Sequence, residues 1–199
     1  MEFVEPIRDP KKLTAMKAVL ANGKMGQRNL VLFSVGINTA YRISDLRQLQ
    51  LSDVLTISRQ RVVVKERLTL KEQKTSKINS IILSTHLRSL IRAYVEESFP
   101  DYLQQQDLDH YLFPSRSGTD QPLNRSQLWR ILSGAADAVG VEHVGTHSMR
   151  KTFGYHLYKQ GTPLEIIQTL LNHSSARETL RYIGITQEQK DTAVMSLDL

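Results

Sequence analysis

The residues in this sequence that could do chemistry lie between Thr146 and Tyr182. His147 and Arg150 form a His-x-x-Arg pair, His173 follows, and Tyr182 comes nine residues after it. Each is weak evidence alone, because a His-x-x-Arg pair is commonplace and most tyrosines are packing residues with a hydrogen-bonded hydroxyl. Together they supply what phosphoryl transfer needs: two kinds of cation, a histidine that moves protons, and a hydroxyl nucleophile.

Local sequence signals place the His-x-x-Arg pair at the start of a helix. Thr146 can cap a helix that begins at His147 and runs to Gln160, before Gly161. His147 and Arg150 then lie in its first turn. Because a helix N-terminus attracts anions, the backbone and the guanidinium can hold a phosphate there together.

Two further short helices are expected to carry the rest of this set. The segment 162–165, Thr-Pro-Leu-Glu, has the capping-box pattern with proline at the first helical position. The segment 175–178, Ser-Ala-Arg-Glu, opens a third helix that ends near Gly184. Tyr182 lies in the last turn of that helix, where fraying leaves a side chain some freedom to reach out.

Two earlier features precede this region: an arginine at the start of a short helix and a β-hairpin that carries lysines. Ser44 can cap a short helix, with Arg42 just before the cap and Asp45 just after it. An ordinary salt-bridged surface arginine would show the same local pattern.

Residues 54–83 then change to β-branched and alternating sequence. The expected strands are Val62–Val64, Arg67–Leu70 and Ile78–Leu83, with a turn at 72–76 and lysines at 71, 74 and 77 around the hairpin tip. A tip lysine is usually only solvated, but a mobile tip could also carry Lys74 to a bound phosphodiester.

The remaining sequence predicts a mainly helical chain. Asp9-Pro10 starts a helix to about Asn22, residues 27–39 form a buried helix, Thr85–Ser98 is amphipathic, Asn124 caps a helix that stops at Gly140, and residues 187–197 form a last helix. Residues 100–118 read as a mostly irregular connection. No repeat or linker is visible, so the expected fold class is α+β, mainly α, as one domain over residues 1–199: a helical bundle with a small three-stranded antiparallel sheet.

Composition narrows the function classes. The chain has 199 residues, a formal charge of +6 and no cysteine. The absence of cysteine excludes disulfides, cysteine zinc sites and thiol catalysis, and is typical of a reducing cytoplasm. No signal peptide is visible, and no apolar run is long enough to span a bilayer. A basic chain suits nucleic acid, although many soluble proteins are simply basic.

Other catalytic classes lack their motifs. His143 and His147 have Gly145 between them and should not share a helix face, so no metal site is expected. Gly140 and Gly145 have P-loop spacing, but Thr146 stands where the lysine belongs. GxGxxG and GxSxG do not occur.

The order and spacing of these residues resemble the catalytic domain of the tyrosine recombinases, the phage integrase family. Four segments carry the resemblance: TAYRISDLRQLQLSDV around Arg42, LKEQKTSKINSIIL around Lys74, THSMRKTF around Arg150, and LLNHSSARETLRYIG around Tyr182. They are in register and cover most of residues 36–184. The resemblance implies the catalytic-domain fold and DNA strand transesterification without a cofactor or metal.

The resemblance also implies a role for each residue. Arg42 and Arg150 grip the non-bridging oxygens of the scissile phosphate, and Asp45 braces the site behind them. Lys74 is the general acid for the 5′-hydroxyl, chosen over the lysines at 71 and 77 because its Lys-Thr pair precedes the final strand. The acid/base histidine corresponds to His147, the second phosphate-contacting histidine to His173, and the nucleophile to Tyr182.

The sequence departs from the family pattern at three places. Ala40-Tyr41 replaces a glycine-hydrophobic pair, and Asn172 replaces the glycine before His173. Most members also carry an N-terminal core-binding domain, for which the residues before Arg42 leave no room. We therefore expect that domain to be absent here, in either a stand-alone catalytic domain or a fragment of a longer protein.

The leading hypothesis is a cytoplasmic site-specific recombinase. It acts on double-stranded DNA as a homotetramer, a monomer being the alternative state in solution, with no membrane or small-molecule partner. The tail 186–199 either covers its own core or docks on a neighbouring protomer. Two alternatives are a DNA-binding regulator that keeps the recombinase fold, and a type IB-like enzyme that cleaves strands without exchange.

Overall fold

A computed structural model describes residues 4–116, 121–185, 191–192 and 194–197. The helices are α1 Pro10–Leu20, α2 Gly26–Asn38, α3 Ile43–Leu46, α4 Leu51–Val54, α5 Thr85–Ser98, α6 Pro100–Gln105, α7 Arg125–Ala138, α8 Ser148–Lys159, α9 Leu164–Leu170 and α10 Ala176–Tyr182. The strands are β1 Leu55–Ser58, β2 Arg61–Val64, β3 Arg67–Lys71 and β4 Ile78–Ile82. The mainly helical α+β class predicted from the sequence is confirmed.

The strands form two separate antiparallel pairs, β1–β2 and β3–β4, so the prediction of one three-stranded sheet is wrong. Strand β1 was missed. Its turn to β2 uses Arg59 and Gln60 at positive φ, 48° and 63°. Such a two-residue turn is normally signalled by asparagine or glycine, and this sequence gives no such signal.

The buried helix predicted over residues 27–39 is α2, and it forms the centre of the molecule. Its residues Val31, Leu32, Phe33 and Val35 are almost fully buried. Helix α2 packs against α1, α5 and α8. At Gly36, an added Cβ would collide with the side chain of Met149 on α8. This glycine therefore lets α8, the helix of the His-x-x-Arg pair, lie directly on the core.

Helix starts show where local signals succeed. Side chains of Asp9, Asn124 and Ser175 accept backbone N–H groups of the helices they precede, as predicted. The expected caps Thr146 and Thr162 are wrong, because α8 and α9 each begin one residue later than predicted, after His147 and Pro163. Residues 100–105, expected to be irregular, form α6.

The predicted last helix lies partly outside the described residues. Residues 191–192 and 194–195 are helical, whereas 186–190, 193 and 198–199 are not described. Val194, Met195 and Leu197 expose 74%, 80% and 65% of their surface. Within the described part of the chain, no helix has the length and apolarity needed to cross a membrane.

Candidate active site

Arg42 occupies the N-cap position of α3 and is held by a buried carboxylate. Its Nη1 lies 2.5 Å from Oε2 of Glu72, which follows β3. The Glu72 side chain has no exposed surface, and that of Arg42 retains 14%. The guanidinium is therefore fixed from behind by its ion pair while part of it still reaches solvent.

Arg150 lies in the first turn of α8 and is almost fully buried. Its Nη1 donates to the carbonyl of Ala40 at 2.5 Å, and its Nη2 donates to the carbonyl of Leu171. These bonds join the segment before Arg42 to the end of α9. Neutral carbonyls orient the guanidinium without cancelling its charge, so the charge stays available to an anion.

Tyr182 is the last residue of α10 and faces these cations. Its ring centroid lies 4.8 Å from that of His173, 5.9 Å from Arg150 Cζ and 5.4 Å from Lys151 Nζ. The hydroxyl is buried and makes no hydrogen bond of acceptable geometry within the described residues. Burial raises the pKa of Tyr182, and the charges of Arg150 and Arg42 oppose that rise. The tyrosine is therefore neutral at pH 7 and must lose its proton as it attacks.

His173 is oriented by Thr179. Nδ1 of His173 lies 3.2 Å from Oγ1 of Thr179, and that hydroxyl donates to the carbonyl of Ser175. Because the hydroxyl has only one proton, Nδ1–H of His173 must be the donor in this contact. Burial, reinforced by Arg150 and opposed by Glu178, lowers the pKa of His173 to about 4. In the neutral ring, Nε2 therefore carries the lone pair.

His147 lies at the N-cap of α8 and is solvent-exposed. Although the residue is exposed, desolvation of its imidazole by the neighbouring protein lowers its pKa below the usual value. The charges of Arg150 and Arg125 lower it further. His147 is therefore neutral at pH 7 and able to accept a proton.

Asp45 and Lys74 belong to the hairpin side of the site. Asp45 is buried, and its Oδ1 accepts the backbone N–H of Gln73 at 3.1 Å. Lys74 lies in the exposed turn between β3 and β4, with no ion pair or hydrogen bond to the other site residues among the described contacts. The structure thus brings Arg42, Arg150, His173 and Tyr182 together, with His147 next to them at the N-cap of α8. Lys74 stays at the edge, on a hairpin whose base is fixed to the site.

Sequence reasoning missed two residues that complete this arrangement. Glu72 was read only as part of a turn, yet it pairs with Arg42. Asn172 has a positive φ of 49° and donates from Nδ2 to Oε1 of Glu72 at 2.8 Å. A signal existed at Asn172: it replaces a glycine, and asparagine is among the few other residues that tolerate this conformation.

Comparison with known proteins identifies the fold and the family. Residues 9–189 match the model of the phage integrase family. The chain belongs to this family. Over 188 residues it is 39% identical to the probable integrase/recombinase YoeC of Bacillus subtilis (strain 168), covering 94% of this chain and 93% of that protein. Phage integrases of this class are tyrosine-type site-specific recombinases, which cleave and rejoin DNA.

Other proteins similar to this chain are longer. Tyrosine recombinase XerA of Pyrococcus furiosus is 29% identical over 196 residues, which cover 96% of this chain and 63% of that protein. A crystal structure of XerH recombinase, in a post-cleavage complex with palindromic difH substrate, matches with a TM-score of 0.73 and 21% identity. The match covers 99% of this chain and 53% of XerH. This chain thus spans between about half and nearly the full length of the relatives it matches.

Proposed function

We propose that this chain cleaves and rejoins double-stranded DNA one strand at a time, with Tyr182 as the nucleophile. The observation that carries the proposal is the position of the Tyr182 ring, 4.8 Å from His173 and 5.9 Å from the Arg150 guanidinium carbon. Most tyrosines with a buried hydroxyl have a hydrogen-bond partner. The Tyr182 hydroxyl makes no hydrogen bond of good geometry among the described residues and lies near Arg150 and Arg42, so it is suited to attack a phosphate held by these arginines.

Each residue has a chemical task in this proposal. The Tyr182 oxygen bonds to phosphorus as the bond from phosphorus to the 5′-oxygen breaks. The tyrosine proton passes to His147, and Lys74 gives a proton to the departing 5′-oxygen. Arg42 and Arg150 neutralise the charge on the non-bridging oxygens.

The product is a 3′-phosphotyrosyl link and a free 5′-hydroxyl. One phosphodiester is exchanged for another, so the step reverses without ATP when a 5′-hydroxyl attacks. His173 contacts the phosphate in this scheme, and Asp45 holds the hairpin through the Gln73 backbone. This chemistry suits rearrangement of DNA better than its digestion.

We further propose that strand exchange passes through a four-way junction held by a homotetramer. The DNA partner is supported by the family match and by the DNA complex of XerH. The tetramer is supported by the exposed apolar side chains of Val194, Met195 and Leu197, 65% to 80% accessible, which suit docking on a neighbouring protomer. The alternative is that this tail covers the core of its own protomer.

The test uses nicked duplexes tiled from the DNA that flanks the gene, run on denaturing gels. A nick lets the short 5′-hydroxyl fragment diffuse away and traps the covalent intermediate. We expect a shifted protein–DNA band that disappears in Tyr182→Phe while that variant still binds the duplex. An adduct formed by Tyr182→Phe would overturn the assignment of the nucleophile. DNA retardation without any adduct from the wild type would favour the regulator instead. Joining within one duplex but never between two would favour the type IB-like enzyme.

A further inference from the structure

The buried carboxylate of Glu72 has a position that suggests a role in the reaction. We propose that Glu72 is a positioning residue, which sets the orientation of Arg42 and, through Asn172, fixes the lysine hairpin to the loop that carries His173. The inference rests on the proposed function, because it concerns the rate of the same cleavage step.

Four side-chain donors converge on Glu72 from different parts of the chain. Oε2 accepts from Arg42 at 2.5 Å and from Thr75 at 2.9 Å. Oε1 accepts from Asn172 at 2.8 Å and from Asn79 at 3.3 Å. The donors come from the start of α3, the hairpin turn, the loop after α9 and strand β4. A carboxylate with no exposed surface that receives four donors fixes their relative positions.

The charge state of Glu72 supports this role. Burial alone would raise its pKa, but hydrogen bonds from Asn172, Arg42 and Thr75 outweigh burial and lower it. Glu72 is therefore ionised at neutral pH. A buried carboxylate that remains charged is held in a single arrangement by its partners, since losing any one would leave charge unpaired.

Two residues that depart from the family pattern, Tyr41 and Asn172, contact this hairpin. The Tyr41 hydroxyl lies 2.8 Å from the carbonyl of Leu68 on β3 and 2.7 Å from that of Asn79 on β4. Asn172 contacts Glu72 at the hairpin base. Tyr41, in place of a hydrophobic residue, and Asn172, in place of a glycine, thus both attach the hairpin to the site. Asn79 adds a bond from its Nδ2 to the carbonyl of Leu170, at 3.0 Å, near the end of α9.

The direction in which Glu72→Gln changes the cleavage rate distinguishes a positioning role from a purely electrostatic one. Glu72→Gln keeps the volume and removes a negative charge near the phosphate site. If Glu72 were only a neighbouring charge, its removal would favour the anionic transition state and speed cleavage. If Glu72 positions Arg42, the glutamine NH2 group must face one of the donors that a carboxylate oxygen accepted from. Arg42 or Asn172 then moves away, and cleavage slows.

The experiment measures single-turnover cleavage of the nicked duplex that gives the Tyr182-dependent adduct, together with the DNA dissociation constant. For Glu72→Gln we expect the rate at saturating DNA to fall by about ten- to a hundredfold, with the dissociation constant within about threefold of wild type. Asn172→Gly removes the link to Glu72 and also relieves the positive φ, and should slow cleavage by about fivefold. The matched control is Gln106→Gly, which relieves a positive φ of 58° at the end of α6. It should leave the rate unchanged.

A second measurement does not depend on DNA. The Nη1–H signal of Arg42 in the NMR spectrum should be dispersed and slow to exchange in the wild type, because Nη1 donates to Glu72. In Glu72→Gln it should move to the position of a solvated arginine, while thermal unfolding shows that the variant is folded.

The outcomes separate this inference from the proposed function. Cleavage by Glu72→Gln at or above the wild-type rate would overturn the inference. A slower rate accompanied by weaker DNA binding and a lower melting temperature would also overturn it, because such a pattern indicates a general structural defect. If Glu72→Gln does not fold, a normal rate in Asn172→Gly overturns it. If the wild type forms no adduct, the proposed function fails. The Arg42 signal then decides the inference: one that is unchanged in Glu72→Gln contradicts it.

Discussion

Replacing Tyr182 by phenylalanine should stabilise the fold while it abolishes the proposed chemistry. The Tyr182 hydroxyl is buried near the Arg150 guanidinium but makes no hydrogen bond of good geometry among the described residues. Burying an unpaired hydroxyl costs about 1–3 kcal/mol, which phenylalanine does not incur. The attraction between the hydroxyl and the Arg150 guanidinium offsets part of that cost.

The expected net gain is therefore about 1 kcal/mol in the free energy of unfolding. For a chain of 199 residues, this raises the melting temperature by about 2–4 °C. The ring contact with His173 is retained in the variant, so the comparison isolates the hydroxyl.

Tyr94→Phe is the matched control. The Tyr94 hydroxyl is also buried, but it donates to the carbonyl of Leu112 at 2.7 Å. Its loss leaves that carbonyl unpaired and should destabilise the fold by about 1–2 kcal/mol. The two substitutions delete the same atom and should have opposite signs.

Both variants are measured by urea and thermal unfolding at pH 7 without DNA. If Tyr182→Phe destabilised the protein as Tyr94→Phe does, the Tyr182 hydroxyl would have a partner in solution. The explanation of its availability to a phosphate would then be wrong.

Three further predictions concern the other site residues. The pKa of His147 is lowered, so the cleavage rate should stay level from pH 8 to 6.5 and fall only below the usual pKa of about 6.5; a His147→Gln variant that keeps this acid limb contradicts the assignment. The pKa of His173 falls to about 4 on folding. As the pH falls from 6.5 to 4, the unfolded chain therefore binds a proton that the folded chain does not, and the free energy of unfolding should decrease by up to about 3 kcal/mol. Urea unfolding should show a smaller decrease over this pH range in His173→Gln. Lys74→Ala should slow cleavage by about a hundredfold but not on a duplex with sulfur as the 5′-leaving atom, which needs no acid; equal slowing in Lys77→Ala would contradict the choice of Lys74.

The sequence was sufficient for several local interactions, although the caps expected at Thr146 and Thr162 are wrong. The caps at Asp9, Asn124 and Ser175 are confirmed because a cap joins residues three or fewer apart. Helix α5 was predicted with its observed bounds because its apolar residues recur with the helical period and form the face that is buried. The order of reactive residue types, from Arg42 to Tyr182, was also visible directly and gave the family.

The strands and the support of the site were decided by tertiary structure. The split into two strand pairs depends on a turn at Arg59 and Gln60, whose conformation those residue types do not signal. The contact of Glu72 with Arg42 spans 30 positions in the chain, and its contact with Asn172 spans 100. No local rule predicts which distant donors will meet a turn carboxylate, because packing of α3, α9 and the hairpin on the core brings them together. The sequence by itself determined which groups could react, and only the folded chain decided how those groups are held.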